Sequence, residues 1–138
     1  MKMHTWVYRK FRIVRVRRRR VITAHFTRSS RADYLKHKEQ TRVLVAQKIA
    51  HFNKFYNFTF GKIAIRNQRS RWGSCSKKGN LNFNYRLVLL PDELVDYVIV
   101  HELCHLGEFN HSKNFWNLVA QTIPNHTELR KQLHQTRF

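Results

Sequence analysis

Two histidines four residues apart, His101 and His105, with Glu102 directly after the first, constrain this chain more than any other feature. On an α-helix, positions i and i+4 share one face, so both imidazoles can reach one ion. Glu102 then lies near enough to a metal-bound water to take its proton. The surrounding sequence agrees with a helix. Pro91-Asp92-Glu93 opens it, since Pro suits the first turn and acids there complement the dipole, and Val95, Val98 and Ile99 carry it to about Leu106. Zinc lowers the pKa of its water toward about 7, and a carboxylate completes the activation.

A catalytic zinc takes a third protein ligand and leaves a fourth position open. His111 is the expected third ligand, giving one Zn2+ held by His101, His105 and His111. The helix ends near Gly107, and the chain turns to bring His111 back. Glu108, His126 and Glu128 remain as alternative ligands. The spacing matches the metzincin triad, but those enzymes have Gly where Glu108 stands here. They also use a downstream Met-turn, whereas the only methionines here are Met1 and Met3. Cys104, flanked by Leu103 and Leu106, points away from the two histidines and reads as a packing residue.

The rest of the chain reads as one domain, with a basic β-rich part at 1–28 and a core at 29–138. At 138 residues and 42% hydrophobic, it can build a real core. Phe11–Arg17 alternates β-branched and basic residues, as a half-wet strand does, and Val21–Phe26 is a second strand. Arg17, Arg18, Arg19 and Arg20 then lie at or near the connecting turn. Ser29 and Ser30 can cap a long helix reaching about Tyr56, with Leu35, Val45, Ile49, Phe52 and Tyr56 at helical spacing and an apolar face that backs a sheet. Strands are expected at 62–66, 71–76, 81–84 and 86–90, with Gly79 in a turn. Ser112 caps a further helix ending before Pro124, and a last short helix follows Thr127.

The net charge is +19, from 27 Lys+Arg against 8 Asp+Glu. Residues 1–31 hold eleven basic residues and no acid, and residues 40–91 hold ten and no acid. A polyanionic partner is the functional reading, and solubility is the bland one. The N-terminus has no apolar signal region, and no apolar run approaches the roughly 20 residues of a membrane helix. Cys75 and Cys104 form no CxxC pair and suit a cytoplasmic protein with reduced thiols.

Arg71-Trp72-Gly73-Ser74-Cys75-Ser76, Gly79-Asn80-Leu81, Asn84, Leu87, Pro91, the run from Asp96 to His105, Asn110-His111-Ser112 and Phe115-Trp116 together resemble the YgjP-like metallopeptidases, a family related to SprT-like zinc peptidases. The resemblance is close over about residues 60–120. It implies an α+β zincin core, with a small mixed sheet, a long backing helix, an active-site helix and short C-terminal helices. It also implies zinc on His101, His105 and His111, Glu102 as base, and the segment Trp72–Ser76 beside the cleft. Trp72, Gly73 and Ser74 are then candidate substrate contacts by strand addition, although Trp72 would serve equally well as a core residue.

The expected activity is endopeptidase cleavage of protein or peptide substrates by a monomer with no membrane association. DNA, single strands above all, is a candidate recruiter through Arg17–Arg20. Trp6, Tyr8 and Phe11 are available for stacking, but their packing in strands is the preferred reading. The alternative function is a nucleic-acid-binding module with a structural or vestigial zinc, against which Glu102 argues. Asn84, Tyr85, Arg86 and His126 are candidate donors to the oxyanion that peptide hydrolysis develops.

Overall fold

A computed structural model describes the backbone of two strands, at 11–16 and 19–24, and residues 30–136 in full. The strands are β1 (Phe11–Val16) and β2 (Arg19–Ala24), an antiparallel pair in which Val16 faces Arg19 and Phe11 faces Ala24. Arg19 and Arg20 therefore open the second strand, next to the connection between the two strands, as expected. That strand begins two residues earlier than expected. Arg17 and Arg18 lie outside the described residues, as do Trp6, Tyr8 and Ser29.

Helix α1 (Arg31–Tyr56) starts at Ser30, whose hydroxyl accepts the Asp33 N–H, and stops at Asn57 in the left-handed conformation. Its buried stripe is Thr41, Val45 and Ile49, three residues four apart, with Phe52 and Tyr56 packed against the core. Leu35 does not join them. It is 59% exposed among the described residues. The Tyr34 hydroxyl donates to the Ile65 carbonyl and the Thr41 hydroxyl to the Tyr85 carbonyl, so α1 is bonded directly to the layer it backs.

That layer is a three-stranded sheet of β3 (Ile63–Arg66), β4 (Gly73–Cys75) and β5 (Leu81–Asn84), in the order β3-β5-β4. β3 pairs in parallel with the central β5 and β4 in antiparallel, so the sheet is mixed. Gly79 takes φ +75°, and its N–H closes the β4–β5 turn on the Ser76 carbonyl. After β5 the chain does not continue as the strand expected at 86–90. It winds into a 3-10 turn, Tyr85–Leu89. The Asn84 side chain accepts the Arg86 N–H and caps this turn, and the Leu90 N–H returns to the Leu87 carbonyl. A short apolar run has no periodicity that separates a buried strand from a buried turn, and here a local side-chain cap decides it.

Helix α2 (Asp92–Cys104) follows Pro91 and is buried nearly all round, with Leu94, Val95, Val98, Ile99, Val100 and Leu103 in the core against Leu81, Phe83, Val45 and Ile49. Lys48 of α1 lies 2.8 Å from Asp92 and 2.7 Å from Asp96, which ties the two helices at their edge. Helices α3 (Lys113–Thr122) and α4 (His126–Gln135) close the far side of α2, with Phe115, Val119 and Leu129 buried. The architecture is α+β.

Candidate active site

α2 ends one residue before His105. The His105 N–H still reaches the His101 carbonyl, and the N–H groups of Gly107 and Glu108 both converge on the Cys104 carbonyl, which turns the chain sharply. The next seven residues double back. Ser112 then accepts the Phe115 N–H and starts α3, leaving His111 just ahead of a fixed helix end. The result is a cluster. His101 Nε2 lies 3.2 Å from His105 Nε2 and 3.0 Å from His111 Nε2, and one nitrogen from each ring falls within 4.8 Å of the others. Phe115, fully buried, forms the floor, with ring centroids 4.9, 4.5 and 4.9 Å from His101, His105 and His111.

His105 Nδ1–H donates to the Glu108 carbonyl at 3.1 Å, so the lone pair of its neutral ring sits on Nε2 and faces the other two histidines. His101 Nδ1 faces the Tyr97 hydroxyl at 3.5 Å. Burial lowers the pKa of all three histidines. His101 is pushed furthest, to about 3, by burial first and then by His105, His111 and Arg130. Three neutral imidazoles with nitrogens this close suit a cation. Four nitrogens arranged tetrahedrally at about 2.0–2.1 Å from zinc stand about 3.3 Å apart. Of the alternative ligands, Glu108 contributes its backbone carbonyl to orienting His105, while His126 and Glu128 are not in the cluster.

Glu102, one residue after His101, packs against Gly73 of β4 at the wall of the same cavity. It is only 6% exposed, and burial pushes its carboxyl up to about 8, with the Arg71 charge acting in the opposite direction. Gly73 packs directly on it. A Cβ built there would stand 2.7 Å from Glu102 Cγ and 2.8 Å from Oε1, closer than any real contact. Trp72 is 8% exposed and belongs to the core, yet it also lines the cavity, so both readings of it hold in part. The cavity is about 360 Å³ and is bounded by Trp72, Gly73, His101, Glu102, His111 and Trp116, with Tyr97 and Arg130 beyond them. Ser74 does not line it.

The four oxyanion donors expected from sequence are elsewhere. The Asn84 amide donates to the Gln68 and Arg71 carbonyls, Arg86 is buried on the Tyr85 ring and hydroxyl, and His126 stacks on Trp116. Sequence reasoning missed Tyr97 and Arg130. Tyr97 stands one helical turn before His101 and could have been found by that spacing. Arg130 carries no local signal, because it arrives on α4 from the other side of the fold.

The YgjP-like metallopeptidase domain model matches residues 4–136. The chain belongs to this family. The match takes in the basic N-terminal residues as well as the 60–120 stretch that carries the close resemblance. Among solved structures, this YgjP-like chain is similar to the zymogen of the metallopeptidase abylysin from Pyrococcus abyssi. The TM-score is 0.59 at 24% identity, over 64% of this chain and 90% of that one. It is similar to the same degree to the zymogen of jannalysin from Methanocaldococcus jannaschii, with TM-score 0.58 and 23% identity over 66% and 94%. At such identities the likeness speaks for the fold. Among curated proteins none matches. The YgjP-like chain is thus a zinc metallopeptidase, and no helix among its described residues is long and apolar enough to cross a membrane.

Proposed function

We propose that this YgjP-like protein cleaves peptide bonds within protein chains, with one Zn2+ on His101, His105 and His111 and with Glu102 as general base. The observation that carries this reading is the convergence of three histidine nitrogens beside a buried carboxylate at the wall of one cavity. Zinc, when bound, supplies the Lewis acid that polarises the scissile carbonyl and acidifies the attacking water. The chain's own residues do the rest. Glu102 receives the water's proton at its carboxylate and returns it to the leaving amine. Gly73, by having no side chain, leaves the carboxylate in place. The Glu108 carbonyl fixes the tautomer and orientation of His105. Among the described residues β4 pairs only on its β5 side, so its other edge is open to an extended substrate backbone running past Trp72, Gly73 and Ser74.

The basic charge supports a second step, in which DNA recruits the enzyme to its protein substrates. The arginine run Arg17–Arg20 is the candidate contact, and single-stranded DNA is the candidate ligand. Protein cleavage by the purified enzyme, with and without single-stranded DNA and with Glu102→Ala as control, tests both parts. Glu102-dependent cleavage supports the peptidase, and its rise with DNA supports recruitment. Cleavage indifferent to DNA retains only the peptidase.

A further inference from the structure

Among the described residues that line the cavity, Arg130 is a permanently charged group that catalysis does not use. Arg130, on α4, lines the same wall as His101, Glu102 and His111. Its guanidinium carbon lies 5.1 Å from the centre of the Trp116 ring, and Trp116 in turn stacks with His111 and His126. The cation is therefore held by a ring that is itself packed into the metal cluster. Among the described residues no carboxylate forms an ion pair with Arg130. Among the described residues lining the cleft the one acid is Glu102, and the Arg71 charge acts on its carboxyl.

A fixed positive charge beside three metal-binding imidazoles works against holding a dication there, and it also opposes protonation of His101 and His111. Its placement becomes favourable once an anion enters the cleft. A peptide brings one kind of anion, the carboxylate, either of an acidic side chain or of a C-terminus. The planar guanidinium can hold it through two parallel N–H···O bonds. The neighbouring wall is apolar at Val98 and Leu133, and so accepts the hydrocarbon stem of such a residue.

We propose that Arg130 forms a carboxylate-binding subsite in the active-site cleft, which makes the enzyme prefer peptides that place an acidic side chain or a free C-terminus on the α4 side of the scissile bond. The proposal rests on the peptidase reading above and deepens it.

Its test uses matched peptide pairs, Glu against Gln at one position and C-terminal acid against amide, with wild-type protein and Arg130→Met. Arg130 is exposed, so the variant is expected to fold, and equal melting temperatures check this. The expected result is a wild-type preference for the carboxylate member of about fivefold in kcat/KM, expressed in KM. It should fall toward one in Arg130→Met and weaken with salt. The Glu/Gln and acid/amide pairs separate a side-chain carboxylate from a terminal one. Calorimetric binding of the same peptides to Glu102→Gln protein should show the same preference and the same loss. No wild-type preference in either pair overturns the proposal. So does an Arg130→Met loss in kcat that is equal for both members, which would put the charge in the chemical step. If no peptide is cleaved, the peptidase reading fails on its own account. The binding arm then decides the subsite, and equal binding of both members overturns it.

Discussion

At the scale of single residues, the contact between Gly73 and Glu102 is the tightest constraint in the site. A methyl group at 73 has nowhere to go except into the Glu102 side chain. Gly73→Ala should therefore lower kcat by at least tenfold while zinc content, measured by atomic absorption, stays at the wild-type level, since the atoms nearest a Cβ at 73 all belong to Glu102. Glu102→Gln should lower kcat further, by roughly two to four orders of magnitude, again with metal retained. If Gly73→Ala is fully active, β4 does not position the base. His111→Ala should do the opposite and lose metal. His111 is the most exposed of the three and stands on a loop, so the remaining pair, His101 on α2 and His105 at its end, would bind zinc far more weakly, as a competition titration with a chromogenic chelator would show.

At the scale of elements, the Lys48 link between α1 and α2 is the testable joint. Burial is the largest single influence on Lys48 and pulls its pKa down, but Asp92 and Asp96 together outweigh it and the net shift is upward. A lysine whose folded pKa exceeds its unfolded value stabilises the fold fully below about 10.4 and loses that contribution as pH climbs through the folded pKa. Lys48→Met should lower the melting temperature at pH 8, by about 1 kcal/mol of stability, and the gap from wild type should narrow in thermal melts as pH climbs through the raised folded pKa. The elements were legible in the sequence wherever a cap, a proline or a clear period marked them. Ser30, Gly79, Pro91 and Ser112 each stand where the sequence implied. The 3-10 turn at Tyr85–Leu89 was not legible, because its cause is the Asn84 amide bridging Gln68, Arg71 and Arg86, a contact that exists only after β5 has paired. The same logic divides the site. His101, Glu102 and His105 are written in one helical turn, and His111 follows from a short return. Tyr97 is one turn away and Arg130 nearly thirty residues away, so neither belongs to any local pattern.

At the scale of the whole molecule, a metal held by His101, His105 and His111 would be linked to folding. A ligand that binds only the folded state at a thousand times its Kd stabilises it by about 4 kcal/mol. Chelation should therefore lower the melting temperature by several degrees, and added zinc should restore it. Failure to restore would mean that the cluster does not hold the stabilising ion. The charge is the other global property. If the +19 balance recruits nucleic acid, affinity for a single strand should fall linearly on a log–log plot against salt, and no binding at low salt would remove DNA from the account.

The cavity wall is assembled late. Ser70 to Gly73 and the α2 residues are made first, and Arg130, Leu133 and His134 on α4 and Thr136 at its end arrive last. A ribosome that has reached residue 125 has already produced every histidine of the cluster and the base, but not the side of the cleft that would bound a substrate. While it is being translated, the nascent chain lacks one wall of its cleft until α4 has emerged and docked.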